Sequence, residues 1–202
     1  MWVTAARLLV ILLAAAALGF YLGPYRERQI DEGRLAAIAA VIAGREVGIS
    51  CPGTLASLTE VSPHAGSVLF SADGRPADEA KLSSGTCSRL RSILHGEIAG
   101  LGCLASAGDC PEEVREAAVA VNVLSHEAWH LAGERDEAVT QCYALQTNAD
   151  TALRLGASPE DARAVAAFVF GDVQPALPPE YRTSECHDGG PLDLHPERTA
   201  WP

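Results

Sequence analysis

Apolar positions fall into a few distinct patterns along the chain. Residues 2–22 (WVTAARLLVILLAAAALGFYL) form an apolar stretch interrupted only by Thr4 and Arg7. Its length suits a short membrane span, with Trp2, Tyr21 and Tyr25 at the two interfaces. A cleaved signal peptide fits the same stretch, but no Ala-x-Ala site is followed directly by polar sequence. The expectation is therefore an N-terminal anchor over residues 1–24. Residues 26–43 predict a helix that Gly44 stops, carrying the anchor outward as a stalk over residues 25–46.

The remainder, residues 47–202, reads as one domain. Residues 47–66 are loop-like, with Pro52, Gly53, Pro63 and Gly66. Ser67-Val-Leu-Phe70 followed by Asp73-Gly74 predicts a strand and turn, a small β-hairpin. Thr86 introduces a short helix over 87–95. The strongest helical pattern opens with Pro111 at its first position and Glu112 and Glu113 in the first turn. It runs to Gly133 with apolar residues on two faces, so both faces are expected to be buried. A second helix is expected from Asp136 or Glu137 to Leu155. A third is opened by Ser158, with Pro159 at its first position and Asp161 as the acid of a capping box. Beyond Gly171 a proline-rich tail should lie extended over the body. The fold class expected is mainly α, an α+β arrangement with one small hairpin.

Composition and charge narrow the function classes. Apolar residues make up 48% of the chain and aromatics 5%, so small aliphatic side chains must fill the interior. The formal net charge of −11 argues against nucleic acid as a partner, because phosphate binding needs a basic surface. Six cysteines match neither a zinc ribbon nor a CxxC pair, and an even count in an exported domain reads as three disulfides. About 15 pairings are possible for six cysteines. The expected set is Cys103–Cys110 as a local loop, Cys51–Cys87, and Cys142–Cys186 tying the tail to the core. Disulfides place the domain outside the cell membrane on a single-pass anchor, or free in the medium if the N-terminal segment is cleaved. The arginines after the span (Arg26, Arg28, Arg34) pull the other way, but acids are interspersed among them.

Chemistry concentrates at residues 126–130, His-Glu-Ala-Trp-His. Two histidines four apart on a helix project from one face and can bind one metal ion. Glu127 is placed to take a proton from a zinc-bound water and pass it to a leaving amine. A catalytic site needs a third ligand, and acids follow the Gly133 stop at Glu134, Asp136 and Glu137.

The stretch HEAWHLAGERDEAVTQCYALQ (126–146) resembles the zinc-binding core of zincin metallopeptidases. It is similar above all to bacterial neutral zinc peptidases whose third ligand is a glutamate on a Glu-x-x-Ala-Asp-Cys-x-Ala helix. Glu137, Cys142 and Ala144 stand in that register. The resemblance implies His126, His130 and Glu137 as zinc ligands and Glu127 as general base. Gln141 takes the place of an aspartate that orients a ligand histidine. The rival metzincin pattern matches through Gly133 to Asp136, which makes Asp136 the alternative third ligand. Metzincins also have a methionine turn, and the only methionine here is Met1.

The function expected is a membrane-tethered zinc-dependent metallopeptidase that hydrolyses peptide or protein substrates. Such clefts bind substrate along a strand edge, which the segment around 67–70 would supply. The alternative is a non-catalytic cell-surface protein with a structural zinc site, or a chance motif. Tyr143, Tyr181, His187 and His195 are secondary candidates for stabilising an oxyanion. His64 and His95 have no partner pattern.

Overall fold

The computed structural model describes residue 23, residues 25–53, 64–105 and 110–198, and residue 201. The expected anchor therefore lies outside the described residues, apart from Gly23. Among the described residues no helix is long and apolar enough to cross a membrane.

The chain is mainly helical with one small sheet. Helix α1 (25–43) leads into strand β1 (Gly48–Ser50), the hairpin β2 (Gly66–Phe70) and β3 (Pro76–Leu82), and helix α2 (Ser84–Leu94). A short 3-10 turn (Leu101–Ala105) precedes α3 (Glu112–Ala132), α4 (Glu137–Arg154) and α5 (Pro159–Phe168). The sheet order is β1-β3-β2, with β1 parallel and β2 antiparallel to β3.

Helix α3 is the spine. Ala117, Ala118, Val121, Leu124, Ala128 and Leu131 are all fully buried. They pack against α4 and α5 on one side and against α2 and the sheet on the other. A buried leucine such as Leu124 contributes about 2 kcal/mol, and the two-sided apolar pattern in the sequence is the signature of this position. Helix α1 joins the same core through Leu35, Ile38 and Ala39, so the segment read as a stalk is packed onto the body. Its buried Asp31 meets the ring of His95, with Nε2 at 3.1 and 3.2 Å from the two carboxylate oxygens. His95 thus has the partner that its sequence surroundings did not show.

Several boundaries differ from the sequence expectation. Ser83, three residues before Thr86, caps α2 by accepting from the Thr86 N–H. Pro111 is the cap residue of α3, one position outside the helix. Residues 48–50, expected as loop, pair with β3. The return strand β3 reads Pro-Ala-Asp-Glu-Ala-Lys-Leu, which hides a strand behind charges. Only Ala80 and Leu82 are buried there, while Glu79 and Lys81 face solvent. After α5 the chain continues as a π turn (Val169–Val173) and two 3-10 turns (Gln174–Ala176, Pro179–Tyr181) rather than lying extended.

All three expected disulfides are present: Cys51–Cys87, Cys103–Cys110 and Cys142–Cys186. The last fixes the tail to α4. Gln146 helps, accepting from the Leu194 N–H (2.7 Å) and donating to the Leu192 carbonyl (2.8 Å).

Candidate metal centre

The site is built where α3 stops and α4 begins. Gly133 adopts φ 110°, a left-handed conformation that side chains resist. Its N–H bonds to the His130 carbonyl, and the Glu134 N–H bonds to that of Trp129. The chain then reverses, and Asp136 caps α4 by accepting from the N–H groups of Ala138 and Val139, both at 3.0 Å. Asp136 is thereby engaged at the helix terminus, and the acid that joins the two histidines is Glu137. Glu137 is the first residue of α4 and faces back onto the last turns of α3.

Glu137 Oε2 lies 3.0 Å from His126 Nε2 and 3.4 Å from His130 Nε2. The three potential ligand atoms all fall within 4.8 Å of one another, and no other group of this kind occurs among the described residues. Both histidines are buried, whereas the Glu137 side chain is 41% exposed. One side of the cluster therefore faces solvent, as an exchangeable coordination position requires.

The second nitrogen of each ring decides what the cluster can hold. His130 Nδ1 is 2.8 Å from the Glu134 carbonyl oxygen, which can only accept. His126 Nδ1 is 3.1 Å from Gln141 Oε1. The Gln141 amide is oriented by its own network, because its Nε2 donates to Gln174 Oε1 (3.0 Å) and Asn122 Oδ1 (3.3 Å). In the neutral rings the proton sits on Nδ1 in both cases, and both Nε2 lone pairs point at the same carboxylate oxygen. Three acceptors aimed at one point repel unless a proton or a metal ion lies among them. Two imidazoles and a carboxylate are a donor set for zinc, with the tautomers already fixed by a second layer of acceptors. The residues therefore fit a metal ion. Gln141 fills the orienting position the sequence assigned to it.

Glu127 is 5% exposed, and its Oε2 has no hydrogen-bond partner. Burial pushes its carboxyl up to about 7, with smaller opposing effects from His126 and Glu137. When His126 carries a proton on Nε2 as well, its hydrogen bond holds the Glu137 carboxyl below its ordinary value. Burial holds the His130 imidazole low.

Glycine at position 66 makes room for Glu127. A Cβ there would meet Glu127 Oε1 at 2.6 Å. Gly66 opens β2, whose other side has no partner strand among the described residues. The Ser83 N–H bonds to the Ala65 carbonyl, so pairing alternates and the backbone groups of Gly66 and Val68 point outward. Further along β2, the ring of Phe70 stands 5.9 Å from that of His130. An unpaired strand edge thus runs beside the cluster, where the sequence had placed one.

The secondary candidates separate. Tyr181 comes to the site, its ring 5.7 Å from that of His126. Burial raises its phenol, and the charges of Glu137 and Glu127 raise it further. Tyr143 instead packs on Trp129 at 4.9 Å. His187 and His195 find their partners inside the tail, at the Asp188 carbonyl and Glu197. Gln174 and Gly66 were not anticipated. Only the Cys142–Cys186 pairing pointed toward the tail, and nothing in the sequence marks a glutamine after a π turn.

Comparison with known proteins gives no match: no family model fits the chain, and no curated protein or solved structure is significantly similar to it.

Proposed function

We propose that this chain is a zinc-dependent peptidase, with His126, His130 and Glu137 as ligands and Glu127 as general base. One observation carries the reading: three potential ligand atoms converge beside a buried carboxylate oxygen with no partner. A zinc ion held by the three residues supplies a polarised carbonyl and a more acidic water.

The protein's own groups do the rest. Glu127 takes one proton as water adds to the scissile carbonyl carbon, and then delivers it to the amide nitrogen as the C–N bond breaks. One water is consumed, and a carboxylic acid and an amine leave. Glu127, buried beside the ligands with one carboxylate oxygen free of partners, is placed for both roles. The outward-facing backbone of Gly66 and Val68 offers an extended peptide the hydrogen bonds of an added strand. The working compartment we assign is outside the membrane, on an anchor supplied by residues 2–22, because three disulfides suit an oxidising environment.

The test is hydrolysis of an unfolded protein substrate by the full chain. Activity should disappear with a chelator and return with added zinc. Activity indifferent to the chelator, or absence of any hydrolysis by zinc-loaded protein, contradicts the reading.

A further inference from the structure

The tail contributes a second element to the site, through a line of contacts that leads away from the ligands. His126 Nδ1 donates to Gln141 Oε1 (3.1 Å), Gln141 Nε2 donates to Gln174 Oε1 (3.0 Å), and Gln174 Nε2 donates to the Tyr181 carbonyl (3.2 Å). Each amide passes the same direction of donation onward, so the line has no free choice of orientation. It ends at the residue whose ring returns to within 5.7 Å of His126. The loop is closed covalently as well, because Cys142 follows Gln141 and is bridged to Cys186. A tail that served only as a cover would need none of this connection to a ligand's orienting residue.

The Tyr181 hydroxyl makes no hydrogen bond among the described residues, although it lies close enough to feel the charges of both Glu137 and Glu127. A phenol there is a donor without an assigned acceptor. In peptide-bond hydrolysis the acceptor that develops is the oxygen of the tetrahedral intermediate, which needs a preorganised donor. Glu127 cannot serve while ionised, and both histidine Nδ1 protons are already committed to Gln141 and Glu134.

We infer that the segment from Gln174 to Tyr181 completes the catalytic site. Tyr181 is a catalytic residue that donates to the oxyanion, and Gln174 is a positioning residue that locks Tyr181 to the ligand His126. This inference rests on the peptidase reading and adds to it a part of the molecule remote in sequence from the His-Glu-Ala-Trp-His helix.

The experiment uses the full chain loaded with zinc and measures binding of a phosphinic peptide, whose tetrahedral centre imitates the intermediate, by calorimetry. The Tyr181→Phe variant should keep its zinc and weaken phosphinic binding about 100-fold. Binding of the matching uncleaved peptide to the same variant should change less than about threefold. Gln174→Glu keeps an acceptor for Gln141 but loses the donor to the Tyr181 carbonyl. It should keep zinc affinity and weaken phosphinic binding by about tenfold. Retained zinc in both variants shows that the fold has survived. Unchanged phosphinic binding in Tyr181→Phe overturns this inference alone. Zinc-loaded wild-type chain with no affinity for any phosphinic peptide overturns both the inference and the peptidase reading.

Discussion

Two places in this protein join histidine to a carboxylate, and they behave differently. At His95 a single ring nitrogen spans both oxygens of the buried Asp31, at 3.1 and 3.2 Å. Donor and acceptor match, and the pair ties α2 to α1 with nothing left over. At His126 and His130 two rings converge on one oxygen of Glu137, with their other nitrogens committed elsewhere. The first pair is complete as it stands, whereas the second brings three ligand atoms together and could hold a metal ion. The number of lone pairs left after every proton is assigned separates a staple from a binding site. Proximity is common to both, but burial is reversed: the first buries the acid and leaves its ring 44% exposed, whereas the second buries both rings and leaves the acid 41% exposed.

Substitutions at the two places sharpen the contrast. The largest effect belongs to Glu127→Gln, which should keep zinc content while lowering kcat/KM about 1000-fold, as expected for loss of a general base. Steady-state kinetics beside metal analysis check it, and proteolysis at the wild-type rate would remove Glu127 from the mechanism. Gly66→Ala comes next. Its Cβ would intrude on the Glu127 carboxylate at 2.6 Å, and a displaced base should lower kcat/KM about 10- to 100-fold with zinc retained. An unchanged rate would show that Glu127 relaxes freely.

Stability effects are smaller. In the metal-free protein the folded state holds the Glu127 proton up to about pH 7, against an ordinary value of 4.5. Between those values the folded state binds more protons than the unfolded state. Its contribution to stability is therefore complete below pH 4.5 and is lost as pH rises toward 7, by roughly 3 kcal/mol. Denaturant titrations of the metal-free chain across that window should show the decline, and Glu127→Gln should flatten it. A parallel decline in the variant would assign the slope to other groups. Finally, His95→Ala removes the partner of Asp31; because that ring is 44% exposed, water can take its place, and the cost should be about 1 kcal/mol with zinc binding and hydrolysis intact. Loss of zinc in that variant would merge two places that the contrast keeps apart.

Local patterns carried much of this architecture into the sequence. The two apolar faces of α3, its stop at Gly133, and Ser158-Pro159 at the start of α5 are signals contained within a few residues, and the structure has each of them. The i, i+4 spacing of His126 and His130 is of the same kind. The Cys142–Cys186 bridge was inferable because an even set of cysteines had to pair and the tail needed an attachment. What escaped depends on distant partners. Strand β3 is visible only once β1 and β2 flank it, since its own residues include Asp78, Glu79 and Lys81. Asp136 stood as the alternative third ligand, and its part in capping α4 is visible only in the fold. His95 and Asp31 are 64 positions apart, and no periodicity links them. The same holds for Gln174, whose role exists only through Gln141 and Tyr181.

Everything proposed about chemistry depends on the cluster holding a metal ion. The most direct measurement is elemental mass spectrometry on the purified, oxidised full chain at neutral pH, beside His130→Ala. The account predicts about one zinc per chain, the stoichiometry of a three-ligand site with an open position, and its loss in the variant. Correctly oxidised wild-type protein without bound metal, or with zinc retained in His130→Ala, would contradict it.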